Sequence, residues 1–122
     1  MRQWQYAAAA WNRAAPSYAS GPMLHYAPLH EKMLTESLEL VDIDDGPHIL
    51  DLASAAGEPA LSLWRHMPTA DIVATDYAAT NTILGRSRAY RAGSDVVFQF
   101  ADMEDLQFDD DSFDLVTCCL GL

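Results

Sequence analysis

From His48 onward the chain alternates short apolar runs with stretches of helical character, and this rhythm restricts the possible folds more than any other feature. The runs are HILDLA (48–53), DIVATDY (71–77), VVFQFAD (96–102) and FDLVTCCLGL (113–122). None alternates cleanly between apolar and polar residues, so each reads as a strand buried on both faces. Between the first two lies EPALSLWRHM (58–67), bracketed by Pro59 and Pro68. Between the second and third lies AATNTILGRSRAYRAG (78–93), which stops at Gly93. Proline in a first helical turn and glycine past a last one are start and stop signals. Strand and helix in alternation predict a parallel α/β sheet. The third crossing, MEDLQFDDDS, is acidic, and Asp109, Asp110 and Asp111 read as solvated turn residues without a ligand role.

The segment before this rhythm is different. Arg2 to Val41 is amphipathic and helical, with Trp4, Ala8 and Trp11 on one face of a first helix that Pro16 and the SGP at 20–22 close. A second helix is predicted from Pro28 to about Val41, with Leu29, Met33, Leu34, Leu38 and Val41 as its apolar stripe. DIDDGP (42–47) is a turn. The chain thus divides into a helical cap segment, residues 1–46, and an α/β portion, residues 47–122.

Composition narrows the function. At 122 residues and 50% hydrophobic, the chain is one small domain with enough apolar material for a core. Its net charge of -11 comes from 18 acidic against 7 basic residues, with no Lys or Arg beyond Arg91. A phosphate backbone is repelled by such a surface, so nucleic acid is not an expected partner. No run has the length of a transmembrane segment, and the N-terminus lacks the basic start and apolar core of a signal peptide. Cys118 and Cys119 are adjacent, and on a strand they point to opposite faces, which suits neither a disulfide nor a shared metal. Free thiols fit a reducing compartment, the cytoplasm or an organelle matrix. HEKML at 30–34 has Leu34 where a zinc-binding helix has its second His, and His25, His48 and His66 are scattered, so no metal is expected.

In an open parallel sheet, ligands bind at the carboxyl ends of the strands. Those ends carry Asp51, Ala53, Ser54, Ala55, Ala56 and Gly57 after the first strand, Asp76 and Tyr77 after the second, Asp102 and Met103 after the third, and Cys118–Gly121 after the fourth. A turn of small residues lets backbone N–H groups approach a ligand. A carboxylate at Asp76 can accept both hydroxyls of a ribose, and one at Asp102 can accept from an exocyclic amine. Turn, ribose acid and base-reading acid in that order describe an adenosine pocket.

ILDLASAAGEPALSL, VATDYA and FADMEDLQFDDDSFDLVTCCLGL resemble, in order and spacing, the class I S-adenosylmethionine-dependent methyltransferases, especially the group with the ubiquinone and menaquinone biosynthesis C-methyltransferases. The resemblance implies a Rossmann-like parallel sheet with S-adenosyl-L-methionine as cofactor and a small-molecule methyl acceptor as partner. It places Asp51 and the turn Ala53–Ser54–Ala55–Gly57 against the methionine part, Asp76 on the ribose and Tyr77 beside the adenine. Asp102 and the Met103 backbone read the adenine, and Cys118–Gly121 edges the pocket near the sulfonium. The family sheet has seven strands in the order 3-2-1-4-5-7-6. This sequence reaches the fourth, so the expected architecture is a partial domain, residues 47–122, truncated after that strand and preceded by the helical segment. The family favours glycine at the places of Ala53, Ala55 and Gly57. Where φ must be positive, alanine costs about 1 kcal/mol, with Ala55 the more consequential change.

Two other functions are open to this sequence. An apolar fourth strand left at a sheet edge favours self-association, as in a non-catalytic, partner-binding half domain. A nicotinamide dehydrogenase shares the sheet type, but the G-x-G-x-x-G fingerprint is missing.

Overall fold

The structure, a computed structural model, describes residues 3–121. Strands β1 (His48–Leu52), β2 (Asp71–Asp76), β3 (Val97–Phe100) and β4 (Leu115–Cys118) form one parallel sheet in the order β3-β2-β1-β4. This is the architecture the strand–helix rhythm predicts. Registers set the levels of the strand ends: Asp51 pairs with Ala74 and with Thr117, and Asp76 pairs with Phe100.

Among the described residues five α-helices accompany the sheet, α1 (Gln3–Ser20), α2 (Pro22–His25), α3 (Ala27–Leu40), α4 (Ala60–His66) and α5 (Ala79–Ala92), with a 3-10 turn at Ile43–Asp45. Pro16 does not close the first helix, which continues to Ser20. Packing against the rest of the fold overrides the local preference, with Ala8 and Ala15 of α1 buried. The helix predicted from Pro28 begins one residue earlier, and the single turn of α2 precedes it. The side chain of Trp4 lies outside the described residues. No helix among the described residues is long and apolar enough to cross a membrane.

The core lies between one sheet face and helices α3, α4 and α5. It contains Leu34, Ile49, Leu61, Leu63, Met67, Ile72, Ala74 and Phe98. The ring of Phe98 lies against Gly57 and Gly85: a Cβ at either position would come within 2.9 Å and 2.4 Å of it. Register puts Leu50, Val73, Val97 and Val116 on the opposite face. Leu50 is buried there, but Val97 and Val116 on the two edge strands are 50% and 53% exposed. Burial on both faces therefore holds for the central strand and fails at the edges. Strand β4 is also shorter than the run 113–122 predicts. It ends at Cys118, and Leu120 turns the chain at φ +61.

Candidate ligand-binding site

The turn leaving β1 is held in an unfavourable backbone shape by a dense set of hydrogen bonds. Ala53 and Ala55 have φ of +52 and +50, and Gly57 has +114. The left-handed region costs an L-residue about 1–2 kcal/mol, so a surrounding frame must fix it. The Ser54 N–H donates to Thr75 O at 2.9 Å and its hydroxyl to the same oxygen at 3.3 Å. The Ala55 N–H donates to Asp76 Oδ2 at 3.0 Å, and the Gly57 N–H closes back on Ser54 O at 2.8 Å. From α5, Arg88 donates to Ala56 O at 2.7 Å and pairs with Glu58 at 3.3 Å.

The three strand-end acids have different environments. Asp51 is fully buried; its Oδ1 accepts from Thr117 Oγ1 at 2.7 Å and its Oδ2 from the Ala60 N–H at 3.2 Å. Burial pushes its pKa up to about 7, with those two hydrogen bonds acting in the opposite sense. It ties β1 to β4 and to the start of α4. Asp76 is 6% exposed. Its Oδ1 accepts from the Ala78 N–H at 2.8 Å, its Oδ2 from Ala55, and the Asn81 side chain also bonds to it. Burial raises its pKa, and these bonds oppose the rise. The cap that Ala78 itself lacks at the start of α5 comes from α1, where Asn12 Oδ1 accepts from the Thr80 N–H at 2.9 Å. Asp102 is half-buried, and its Oδ1 accepts from the Glu104 N–H at 3.0 Å.

Two adjoining cavities open at these ends. The larger, about 550 Å³, is lined by Ala53, Asp76, Tyr77, Asp102, Met103 and Gly121, with Ala7, Leu52, Thr75, Ala101 and Glu104. The smaller, about 130 Å³, shares Ala53, Asp76, Tyr77, Met103 and Gly121 and adds Trp11, Tyr18, Ala55, Asn81, Cys119 and Leu120. Of the residues singled out from sequence, Ala53, Ala55, Asp76, Tyr77, Asp102 and Met103 are brought together.

Asp51, Ser54, Gly57 and Cys118 line neither cavity. Asp51 and Gly57 belong to the core instead, Gly57 because its φ and the Phe98 ring both require glycine. Ser54 is buried against β2, and Cys119 rather than Cys118 reaches the chamber. Sequence reasoning did not pick out Asn81. It is a polar residue inside a helical run, and no local signal separates it from a solvated helix position. Trp11 and Tyr18 of α1 pack edge-to-face at 5.3 Å and line the smaller chamber.

Comparison with known proteins gives this geometry a family. The chain is 25% identical over 112 residues to a ubiquinone/menaquinone biosynthesis C-methyltransferase of Bdellovibrio bacteriovorus, matching 92% of this chain and 48% of that protein. It is 40% identical over 73 residues to a demethylmenaquinone methyltransferase of Thermus thermophilus, matching 60% of this chain and 33% of the relative. The chain therefore spans half or less of the length of these relatives. Among solved structures, coclaurine N-methyltransferase bound to N-methylheliamine and SAH superposes with a TM-score of 0.62 at 19% identity, over 73% of this chain and 26% of that one. Residues 49–122 match the family described as "Methyltransferase domain", and the chain belongs to it.

Proposed function

We propose that this chain binds S-adenosyl-L-methionine and serves methyl transfer to a small-molecule acceptor. The carrying observation is the convergence of Asp76 and Asp102 from neighbouring strand ends on one cavity of about 550 Å³. That volume is in the range of small-ligand sites, about 300–1,000 Å³. Acceptor-only carboxylates suit the donors of an adenosine. In this reading Asp76 takes the ribose hydroxyls, Tyr77 packs on the adenine and Asp102 accepts from its amine, beside the Met103 backbone. When bound, the cofactor supplies an electrophilic methyl group on a sulfonium. The protein's own part is alignment and exclusion of water. Residues 1–46 act as the cap, with Trp11 and Tyr18 over the smaller chamber, and 47–122 supply the cofactor half of the domain.

Relatives named as quinone-biosynthesis methyltransferases support a small, apolar acceptor and a cytoplasmic location. Titration calorimetry tests the reading. S-adenosylmethionine and S-adenosylhomocysteine should bind saturably, and Asp76→Ala should abolish the heat while circular dichroism stays native. No heat at millimolar ligand in a folded sample overturns it.

A second reading, self-association through β4, is favoured by the half-exposed Val116 on that edge strand. Sedimentation over a range of concentrations tests it. A monomer throughout counts against it.

A further inference from the structure

The turn after β1 faces two ways. On one side Ala53 and Ala55 line the cavities. On the other, Ala56 is fully buried and its carbonyl accepts from Arg88 Nη1 of α5 at 2.7 Å. The N–H groups of Ser54, Ala55 and Gly57 bond to β2 or back within the turn, so Arg88 adds a hold from a third element. The guanidinium is itself fixed. Its Nη2 donates to Glu58 Oε1 at 3.3 Å, while Ser62 Oγ donates to Glu58 Oε2 at 2.6 Å and Arg65 pairs with Oε1 at 3.8 Å. The Glu58 side chain is 10% exposed, so this anchor is well shielded from water.

A planar fork with one arm on a backbone carbonyl and the other on a held carboxylate keeps a single orientation, which a flexible ammonium does not. Removing Arg88 leaves a buried acceptor without its partner, in a turn already strained at Ala53 and Ala55. The turn then shifts toward shapes that hydrate the carbonyl and relieve the positive φ values. We propose that Arg88 is a positioning residue of the ligand site: by bridging Ala56 O and Glu58 it keeps Ala53 and Ala55 in the shape that lines the two cavities.

The inference deepens the proposed function and rests on it for one point, that the part of the cofactor beyond the ribose lies against this turn. Adenosine lacks that part. It meets Asp76, whose bonds to the Ala78 N–H and to Asn81 do not involve the turn. S-adenosylhomocysteine and adenosine therefore separate a displaced turn from a general loss of the site.

Calorimetry with both ligands, on wild type and Arg88→Met, is paired with amide hydrogen exchange of the ligand-free proteins. Arg88→Met should weaken S-adenosylhomocysteine about tenfold, as when the competent turn falls to about a tenth of the population, and leave adenosine within about twofold. Exchange at the Ala55 and Gly57 amides should quicken about tenfold more than at Ile72, whose change reports the stability of the sheet. An ion pair that serves stability alone gives the opposite pattern. Equal effects on the two ligands, or equal acceleration at the three amides, overturn the inference. If neither ligand binds wild type, the cofactor reading fails, and the exchange comparison alone decides whether Arg88 fixes the turn. Should Arg88→Met fail to fold, Arg88→Lys replaces it, since lysine keeps the charge but cannot bridge both acceptors. The expected loss for S-adenosylhomocysteine is then about threefold, with adenosine again unchanged, and an unaltered ratio of the two affinities overturns the inference.

Discussion

Replacing Ala55 with glycine should stabilise this protein, although glycine in regular structure ordinarily destabilises. Ala55 and Ala53 sit at φ +50 and +52, where an L-residue is strained by about 1–2 kcal/mol. Glycine removes that strain and returns about 0.4–1 kcal/mol through the greater freedom of the unfolded chain. The net gain is about 0.5–1 kcal/mol for each position. The Ala55 N–H bond to Asp76 is a backbone bond and survives the change. A gain of 1 kcal/mol raises the Tm by about 3–5 °C in a domain of this size.

Urea unfolding gives the energies directly, and an unchanged m-value shows that only stability moved. Ala56→Gly is the internal control: it lies in the same turn, is fully buried, and is not among the positive-φ residues. It should lose about 1 kcal/mol. If Ala55→Gly destabilises as much as Ala56→Gly, the strain assigned to this turn does not exist.

Gly121→Ala should destabilise by about 1–3 kcal/mol, because the added Cβ would stand 2.5 Å from Ala53 Cβ and 2.7 Å from Cys118 Sγ. Ala53→Gly should rescue part of that loss in a double-mutant cycle, and additivity would contradict the contact. The pH dependence follows from Asp51, whose folded-state pKa of about 7 lies above its ordinary value of 3.8. The folded state therefore holds a proton that the unfolded chain releases between those values, so stability falls as pH rises through this window. A loss of about 2 kcal/mol between pH 5 and pH 8 is expected in thermal unfolding, and Asp51→Asn should flatten the slope. A wild-type profile that rises over that range refutes the assignment.

Much of the fold was legible because the buried runs and their helix-bounding prolines and glycines are local signals. Pro16 misled because its effect on α1 is outweighed by packing that no local pattern records. The division of labour between Asp51 and Asp76 was hidden for another reason. Both are acids near strand ends, and the register pairs Asp51 with Ala74, which carries Asp76 two residues farther toward the carboxyl edge. One acid is consequently sealed in the core and the other reaches the cavity. Register is set by the whole sheet. Asn81 was equally hidden, since nothing local in a helical run shows that its side chain turns toward Asp76.

Amide chemical-shift mapping with S-adenosylhomocysteine tests the central claim most directly, because it reports both binding and place. Saturable shifts should centre on Ala53, Ala55, Tyr77, Asp102 and Met103 and spare Val73 and Val97 on the open sheet face. An unchanged spectrum at millimolar ligand, or shifts confined to that open face, would contradict a cofactor site at these strand ends.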